Sequence, residues 1–314
     1  MITTTEYSSH CPQRVQLARQ FDAGTNDAMS FGSAFHQACA EGEVPEGNED
    51  PELEPIFNRW YDQHLPLYGK GKSFPETGFN LQIVCKDEIE FKFVKVPKGL
   101  TIQSTCDEIV VGDEDIFIYE RKTTSRDVST VAEKYLAGSQ MRIYNLLGHA
   151  LRIATGRNVI LFLDVIKKKV PGTLHLNKCT RKHIEGKACE ACQNTGHIKI
   201  SSQVCETTPE EYDRVFNLYP HLKTPEAEAA REAARMNNFG QVYPMPLQPI
   251  QLEFIISLKE MNKMVNAKYP HKSFSECPEC NFSAHCHHGI ELTEKQHKPA
   301  PLNDISQVLK AVKK

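Results

Sequence analysis

The stretch STCDEIVVGDEDIFIYERK, residues 104–122, has the pattern of a β-hairpin, with two apolar runs on either side of a polar turn. A turn that is symmetric about its two central acids places Asp107 directly opposite Glu120. Directly opposed residues share one face of a sheet, with Cβ atoms about 5 Å apart. Lys122 lies two residues beyond Glu120 and projects from the same face. The hairpin is therefore predicted to present two carboxylates and an ammonium group together.

Two carboxylates beside a lysine are suited to phosphodiester chemistry. Carboxylate oxygens are the ligands that hard divalent cations prefer. Such a cation polarises a phosphate and acidifies a bound water, while the ammonium group orients the water or stabilises developing charge. Two alternatives stay open at this stage. The acids could be exposed on a solvated hairpin, or a bulge in the turn could shift the register by one residue.

The composition is that of an ordinary globular protein, since 40% of the 314 residues are hydrophobic and 25% are charged. The net charge of −3 argues against a protein that coats DNA without specificity, although a basic run such as Lys167–Lys169 can still contact phosphates. No stretch approaches the ~20 apolar residues that cross a bilayer, and the first residues lack the pattern of a secretory signal. We therefore expect a cytoplasmic protein of bacterial or phage origin, without a membrane partner, in which clusters among the 11 cysteines bind metal or act in catalysis and do not form disulfides.

Hydrophobic periodicity predicts an α/β core with helical additions. Four strands after the N-terminal helices are expected to form an antiparallel meander, and one long helix is expected to lead into an apolar strand. The predicted helices are 13–20, 30–41, 52–63, 128–154, 209–219, 224–236 and 252–266, and the predicted strands are 79–85, 88–95, 102–111, 115–121, 158–165 and 198–205.

Two further motifs flank the hairpin in the sequence. Upstream, the segment GSAFH ends in His36 within a predicted helix. Downstream, Gln140 and Tyr144 are four residues apart and therefore share one face of a predicted helix. The order of these motifs around the hairpin resembles the RecB-like branch of the PD-(D/E)XK nucleases, in which an aspartate precedes a Glu-x-Lys triplet.

This resemblance implies a restriction-endonuclease-like core, with a central mixed sheet flanked by helices, and it implies Mg²⁺ or Mn²⁺ as cofactor. The implied metal ligands are His36, Asp107, Glu120 and the backbone carbonyl of Arg121, and the implied catalytic residues are Asp107, Glu120, Lys122, Gln140 and Tyr144.

Three thiols are closely spaced in the segment CPECNFSAHC, residues 277–286, and Cys11 offers a fourth near the N-terminus. This arrangement resembles the iron–sulfur nucleases, including AddB-type subunits and the nucleases of CRISPR adaptation. The resemblance implies a 4Fe–4S cluster, and structural zinc is the alternative occupant. The implied ligands are Cys11, Cys277, Cys280 and Cys286.

The cluster would close a nuclease domain made of residues 1–169 and 198–288, followed by a flexible tail at 289–314. Residues 170–197 interrupt this domain and contain the pair Cys189-x-x-Cys192, which resembles a zinc knuckle. A second pair of ligands would come from Cys179 with His175, His183 or His197, and we take His197 as the expected ligand. The alternative is a flexible loop whose cysteines are incidental.

The function expected from these motifs is that of a metal-dependent DNA nuclease. A single-strand-preferring exonuclease of recombination, repair or replication, acting on single strands or duplex ends, is the first hypothesis. The alternatives are a CRISPR-adaptation nuclease that acts with an integrase, and a non-catalytic DNA-binding scaffold stabilised by metals. The sequence contains no Gly-x-x-x-x-Gly-Lys-Ser/Thr loop, so a helicase or recombinase partner would have to supply any ATP-driven step.

Overall fold

The computed structural model describes residues 2–3, 11–20, 27–68, 71–85, 88–181, 189–201, 206–234, 239–267 and 300–313. They form an α/β fold with a mixed central sheet flanked by helices, which confirms the predicted fold class. The strands are β1 (Ile2–Thr3), β2 (Lys72–Cys85), β3 (Ile89–Phe93), β4 (Thr101–Val111), β5 (Asp115–Thr124), β6 (Asn158–Lys167), β7 (Leu176–Lys178), β8 (His197–Ile200), β9 (Gly240–Pro246) and β10 (Asn303–Asp304). The helices are α1 (Pro12–Gln20), α2 (Asp27–Glu41), α3 (Leu53–Tyr68), α4 (Val128–Leu136), α5 (Ser139–Thr155), α6 (Pro209–Leu218), α7 (Pro225–Ala234), α8 (Leu252–Val265) and α9 (Ile305–Val312). None of these helices is long and apolar enough to cross a membrane.

The central sheet has the order β10–β2–β4–β5–β6–β9, with β3 beside β2 and β1 beside β4. The predicted meander is wrong in one connection, because β4 pairs with β2 and not with β3. The reason lies in the length of β2, which has 14 residues. One edge of β2 pairs with β4, and its other edge pairs with β10 and then with β3.

Strands β5 and β6 are parallel, so the chain must cross over between them. The sequence predicts one helix over 128–154 for this crossover, but the structure contains two, α4 and α5. The N–H of Ala137 donates to the carbonyl of Glu133 at the end of α4, and Gly138 is the extended residue before α5. Glycine is a poor helix former, and it divides the predicted helix at this point.

The main core lies where α5 packs on the central sheet, and helix α9 joins the same core through Ile305 and Val308. The prediction of a flexible tail is therefore wrong for residues 300–313. Strand β10 pairs with β2, and the side chain of Asp304 caps α9 by accepting from the backbone N–H of Ser306 at 2.8 Å. The polar composition of residues 289–314 favours a flexible tail, but the apolar face of α9 is buried against β2, β4 and α5.

Helices α2 and α3 form a second cluster, which includes Phe35 and Trp60. Neighbouring residues of β6 divide between the two clusters, since Val165 belongs to the main core and Ile166 to the second. Successive side chains of a strand point to opposite faces, so α2 and α3 cover the face opposite the main core at this strand. Helix α2 also contacts β4 and β5, and this contact brings His36 to the hairpin.

The segment between β6 and β9 leaves the central sheet. Strands β7 and β8 pair only with each other in a separate two-stranded sheet. Helices α6 and α7 pack with them around a third cluster that includes Leu174, Tyr212, Val215 and Phe216. The described part of the strand predicted at 198–205, residues 198–201, therefore belongs to the insertion. The sequence interpretation instead expected this strand to resume the nuclease domain. The strand that returns is β9.

Candidate functional site

Strands β4 and β5 form the predicted hairpin in the predicted register. Four consecutive residue pairs run from the turn to Glu108 and Tyr119. Continued by one residue beyond these pairs, the same register puts Asp107 opposite Glu120. The Oδ2 atom of Asp107 accepts a hydrogen bond of 2.6 Å from the backbone N–H of Arg121. The hairpin thus brings together the two carboxylates that the sequence predicted to be neighbours.

His36 reaches Asp107 from helix α2. Its Nδ1 lies 3.1 Å from Asp107 Oδ1. Burial acts to lower the pKa of His36, but the charge of Asp107 and the hydrogen bond to it raise that pKa above its ordinary value. Burial alone would raise the pKa of Asp107, yet His36 and then Lys122 hold it below its usual range. The Asp107 carboxylate is therefore ionised at neutral pH.

Glu120 and Lys122 form an ion pair at the same place. Lys122 Nζ donates to Glu120 Oε1, whereas no group of the described residues donates to the buried Oε2. Burial and then the charge of Asp107 raise the pKa of Glu120. Burial acts to lower the pKa of Lys122, but Glu120 and Asp107 raise it. A protonated ammonium group is thus held beside a carboxylate with one oxygen still available to a ligand.

Gln140 and Tyr144 lie next to this pair, on helix α5. The Tyr144 hydroxyl donates to the backbone carbonyl of Thr105 at 3.0 Å, and Gln140 Nε2 donates to the Tyr144 hydroxyl at 3.2 Å. Burial, followed by the charge of Glu120, raises the pKa of Tyr144 well above its ordinary value. The phenol is therefore neutral, and its hydrogen bond fixes β4 two residues before Asp107.

Arg121 has a larger role in the structure than the sequence suggested. Its side chain projects from the face opposite Glu120 and Lys122 and is only 1% exposed. The guanidinium pairs with Glu108 and lies 4.9 Å from the centre of the Trp60 ring. The Trp60 indole in turn donates to Asp164 Oδ2 at 2.7 Å. This buried arrangement anchors the strand whose Arg121 carbonyl is the predicted metal ligand. The hairpin register places Glu108 opposite Tyr119, so Glu108 and Arg121 are diagonal neighbours on this face.

Glu76 is a site residue that the sequence interpretation missed. On β2, the pairs Pro75–Glu108 and Thr77–Cys106 lie on either side of it, so Glu76 lies opposite Asp107 on the other side from Glu120. The ligand atoms of His36, Glu76 and Asp107 all lie within 4.8 Å of one another. The predicted strand began at residue 79, and this late start left Glu76 in a loop.

These residues fit a hard divalent cation. The carboxylates of Glu76, Asp107 and Glu120 are next to the positive groups of His36 and Lys122. The guanidinium of Arg121 also acts on Glu76, but it is paired with Glu108. The buried, unpartnered Oε2 of Glu120 is the kind of oxygen that is stable in a protein interior when a ligand satisfies it. A cation bound here would supply the positive charge that the cluster lacks.

Of the four predicted cluster cysteines, the structure describes Cys11. Cys11 is 6% exposed and lies immediately before α1. Gln16 fastens α1 to the end of α8, because its Nε2 donates to the carbonyls of Val265 and Ala267 at 2.8 and 3.0 Å. Cys11 therefore lies near the point from which the chain continues towards the other three cysteines. Those three residues, which lie outside the described part of the chain, are Cys277, Cys280 and Cys286.

The cysteines of the insertion lie together. The sulfur atoms of Cys179, Cys189 and Cys192 are within 4.8 Å of one another, and those of Cys179 and Cys189 are 3.9 Å apart. A tetrahedral site with Zn–S bonds of about 2.3 Å requires sulfur atoms about 3.8 Å apart. The backbone N–H of Ala191, followed by the Cys192 thiol, lowers the pKa of Cys189. Three thiols therefore fit a zinc ion.

Among the described residues the group contains the three thiols and no histidine, and two histidines nearby in the insertion are candidates for a fourth ligand. The predicted ligand His197 packs its ring edge-on against Tyr219, with centroids 5.1 Å apart. His221, which the sequence interpretation did not consider, lies 2.7 Å through its Nε2 from the carbonyl of His197. The Nδ1 atoms of both histidines are buried and have no hydrogen-bond partner among the described residues. His175 is exposed, and His183 lies outside the described residues.

Comparison with known proteins identifies the family of this chain. A family model described as the PD-(D/E)XK nuclease superfamily matches residues 3–287. No curated protein matches the chain. Among solved structures, one titled "Crystal structure of SSO0001" is 11% identical, with coverage of 92% of this chain and 87% of that chain and a TM-score of 0.36. A protein from Eubacterium rectale titled "Putative exonuclease" is 10% identical, with coverage of 81% and 92% and a TM-score of 0.35. Because the family model spans most of its length, the chain belongs to the PD-(D/E)XK nuclease superfamily.

Proposed function

We propose that this protein is a metal-dependent DNA nuclease of the RecB-like branch. The observation that carries the proposal is the arrangement of Asp107, Glu120 and Lys122 on one face of the hairpin, with Oε2 of Glu120 buried and unpartnered. We assign Asp107, Glu120, His36 and the carbonyl of Arg121 as ligands of Mg²⁺ or Mn²⁺. A bound cation would polarise the scissile phosphate and acidify a water.

The side chains of the protein have separate tasks in this proposal. Lys122, which is protonated, orients the attacking water and stabilises the negative charge that develops on the phosphate. Tyr144 and Gln140 hold the backbone of Thr105, and thus the strand that carries Asp107, in position. The buried Arg121 side chain holds the neighbouring strand from the opposite face.

We propose single-stranded DNA and the ends of duplex DNA as substrates, and exonucleolytic cleavage in recombination, repair or replication. The resemblance of the motifs to the RecB-like branch supports this choice. A helicase or recombinase would be the partner in such pathways, and an integrase would be the partner of a CRISPR-adaptation nuclease. A non-catalytic scaffold remains the contrasting outcome of the assay below.

The function is tested with single-stranded and duplex oligonucleotides labelled at either end. The protein is expected to release nucleotides from single strands in the presence of Mn²⁺ or Mg²⁺, with Mn²⁺ the more effective because the imidazole of His36 suits it better. Asp107→Asn should abolish this release, because it removes the negative charge of a carboxylate that is proposed to bind the cation. Asp113→Asn, in the exposed turn of the same hairpin, is the matched control and should cleave normally. Metal-independent cleavage, or binding without cleavage by the parent protein, would contradict the proposal.

We also propose that Cys11, Cys277, Cys280 and Cys286 bind a 4Fe–4S cluster. Protein purified without oxygen should be brown, and Cys11→Ala should lose iron as completely as Cys280→Ala, since a cluster held by four thiolates depends on each of them. Iron content and the visible absorption band are the measurements. Cys85→Ala, which replaces an exposed cysteine, should keep its iron. Normal iron in Cys11→Ala with loss in Cys280→Ala would exclude Cys11, and zinc in place of iron would assign the other occupant.

The insertion is proposed to bind its own zinc through Cys179, Cys189, Cys192 and a histidine, His197 or His221. The double variant Cys189→Ser/Cys192→Ser should lose about one equivalent of zinc while its iron stays constant, because the two metals are bound by separate residues. Structural zinc often contributes ~10 kcal/mol or more to forming its module, so the insertion of the variant should become sensitive to protease. The measurement is the zinc and iron content of the variant and the parent by elemental analysis. Equal zinc in both, or simultaneous loss of zinc and iron, would be evidence against an independent zinc module.

A further inference from the structure

We propose that the ribbon formed by β7 and β8 in the insertion binds the phosphate backbone of the DNA strand that is cleaved, at a distance from the scissile bond. The side chains that bind it are Lys178, Arg181 and Lys199, and none of them belongs to the candidate active site or to the proposed metal sites. The inference rests on the proposed nuclease function for the identity of the ligand and adds a separate binding surface to it.

The ribbon has one covered face and one open face. Leu176 and Ile200 are paired, and both pack against the third cluster. Successive side chains of a strand point to opposite faces, so the next pair, Asn177 and Lys199, faces away from that cluster. The pairing shifts after Asn177, where the exposed Lys178 ends β7. The open face of the ribbon therefore carries an amide and is bordered by lysines.

The exposed side of the ribbon is cationic, although the whole chain has a net charge of −3. In the described residues 170–181 and 189–201, the charged side chains are Lys178, Arg181, Lys199 and a single acid, Glu190, and all four are exposed. None of the three cations forms an ion pair with a residue in the described part of the chain. Cations of this kind, unpaired and open to solvent, are complementary to the phosphates of a nucleic acid.

The basic run at residues 167–169, which the sequence suggested for phosphate contacts, is engaged in ion pairs instead. Lys167 and Lys169 lie 3.5 and 2.6 Å from Oε2 of Glu206, and Lys168 lies 3.2 Å from Oδ2 of Asp50. These pairs stabilise the base of the insertion. The unpaired positive charge lies farther along the chain, on the ribbon.

The base of the insertion is fixed beside the candidate site. Lys122 pairs with the residue two positions before the end of β6, so the insertion begins within about 7 Å of strand from that pair. Arg59 of α3 donates to the carbonyls of Lys169 and Lys167 at 3.0 and 3.3 Å, where the chain leaves the sheet. It also donates to the carbonyl of Phe239 at 3.3 Å, where the chain returns. Both limbs of the insertion are thus fastened to the nuclease domain at the end of the sheet where Lys122 lies.

This arrangement gives the ribbon a task distinct from the cleavage step. Proteins that hold single strands commonly use a positively charged surface that follows the backbone. A strand that extends beyond the active site meets such a surface on the ribbon, at a position fixed by Arg59. Contacts remote from the scissile bond hold and orient the substrate, so the ribbon acts on the affinity for long strands.

The test compares the triple variant Lys178→Gln/Arg181→Gln/Lys199→Gln with the parent in binding a long single-stranded oligonucleotide. For single strands, each phosphate neutralised by the protein contributes about 0.7 to the slope of log K against log salt, so the variant should lose about two units of slope. At about 0.1 M salt its affinity should be roughly 10- to 100-fold lower. Fluorescence anisotropy over a salt series, without Mg²⁺ or Mn²⁺, is the measurement. An unchanged slope would overturn the proposal.

Two control variants test whether the position and the charge of these side chains matter. Lys92→Gln/Lys95→Gln/Lys98→Gln removes the same charge from exposed lysines of β3 and the loop after it, and it should keep the slope of the parent. Lys178→Arg/Lys199→Arg retains the charge of the ribbon and should also keep that slope. Loss of slope in either control would contradict a phosphate-binding ribbon.

Failure of this inference and failure of the proposed function are distinguishable, because the binding measurement does not require cleavage. A parent protein that cleaves DNA, with an unchanged slope in the triple variant, would refute the ribbon alone. A parent protein that does not cleave, with the expected loss of slope in the triple variant, would refute the nuclease function and retain the DNA-binding surface.

Discussion

Replacement of Lys122 by alanine is expected to slow DNA cleavage by about 10²–10⁴-fold, the contribution typical of a positioned proton-transfer or charge-stabilising side chain. The affinity for DNA should stay within a few-fold of that of the parent, because the Lys122 ammonium is bound mainly to Glu120 and not displayed on the surface. The measurements are single-turnover cleavage with Mn²⁺ and binding of labelled DNA without cleavage.

The matched control for this substitution is Lys92→Ala. Lys92 is an exposed lysine of the edge strand β3, and it pairs with Glu90 at 3.0 Å. Its removal deletes the same charge without touching the hairpin, so it should cleave at the rate of the parent. A Lys122→Ala protein that cleaves at full rate would disprove the assignment of the catalytic lysine.

Replacement of Arg121 by methionine is expected to lower the free energy of unfolding by about 3–5 kcal/mol, because it leaves the Glu108 carboxylate buried without its ion-pair partner. Chemical denaturation monitored by circular dichroism measures this change. Glu108→Gln should also destabilise, since it leaves the guanidinium of Arg121 with a neutral partner under the Trp60 ring.

Two further variants distinguish the loss of this ion pair from a general effect of removing an arginine. Arg152→Met, on an exposed position of α5, should change the stability by no more than about 0.5 kcal/mol. The double variant Arg121→Met/Glu108→Leu should recover much of the loss, because apolar replacement of both partners removes the unpaired charge. If Arg121→Met unfolds at the same denaturant concentration as the parent, the pair does not anchor the hairpin.

The hairpin of β4 and β5 could be predicted in detail because its information is local. Two apolar runs and a polar turn determine the register, and the register alone determines which acids face each other. The pairs observed between β4 and β5 are the predicted ones. Because successive side chains alternate between faces, Glu108 and Arg121 share the opposite face of the hairpin. The sequence alone does not show that this face is buried, since its cover is Trp60 of α3.

Glu76 could not be found in this way because its position depends on pairing distant in sequence. The segment that contains Glu76 has a proline directly before it, a residue that rarely continues a strand, so the prediction began the strand at residue 79. Pairing with β4 overrides that local signal and extends β2 back to Lys72. The ordered structure of residues 300–313 also depends on pairing that is distant in sequence. Their docking depends on β2, whose Thr77 and Gly78 pair with Asn303 and Asp304 from a distant part of the chain.

The limits of the insertion also depend on tertiary pairing. The spacing of Cys179, Cys189 and Cys192 was sufficient to predict that they share a site. The pattern of strand and helix after residue 197, however, is the same whether those elements join the central sheet or a small sheet of their own. Only the pairing of β8 with β7, and the shared cluster with α6 and α7, distinguishes the two arrangements.

The pairing of β10 with β2 has a consequence for the timing of biosynthesis. Asn303 and Asp304 pair with Thr77 and Gly78, the two residues that follow Glu76, so a segment made late in translation supports one of the first metal-ligand candidates to leave the ribosome. Domains generally fold as units, and the central sheet of this one is complete only after β10 has been made. A chain truncated at residue 299 should therefore keep Asp107 and Glu120 on their hairpin, while Glu76, the third carboxylate of the candidate site, loses the strand that supports its neighbours.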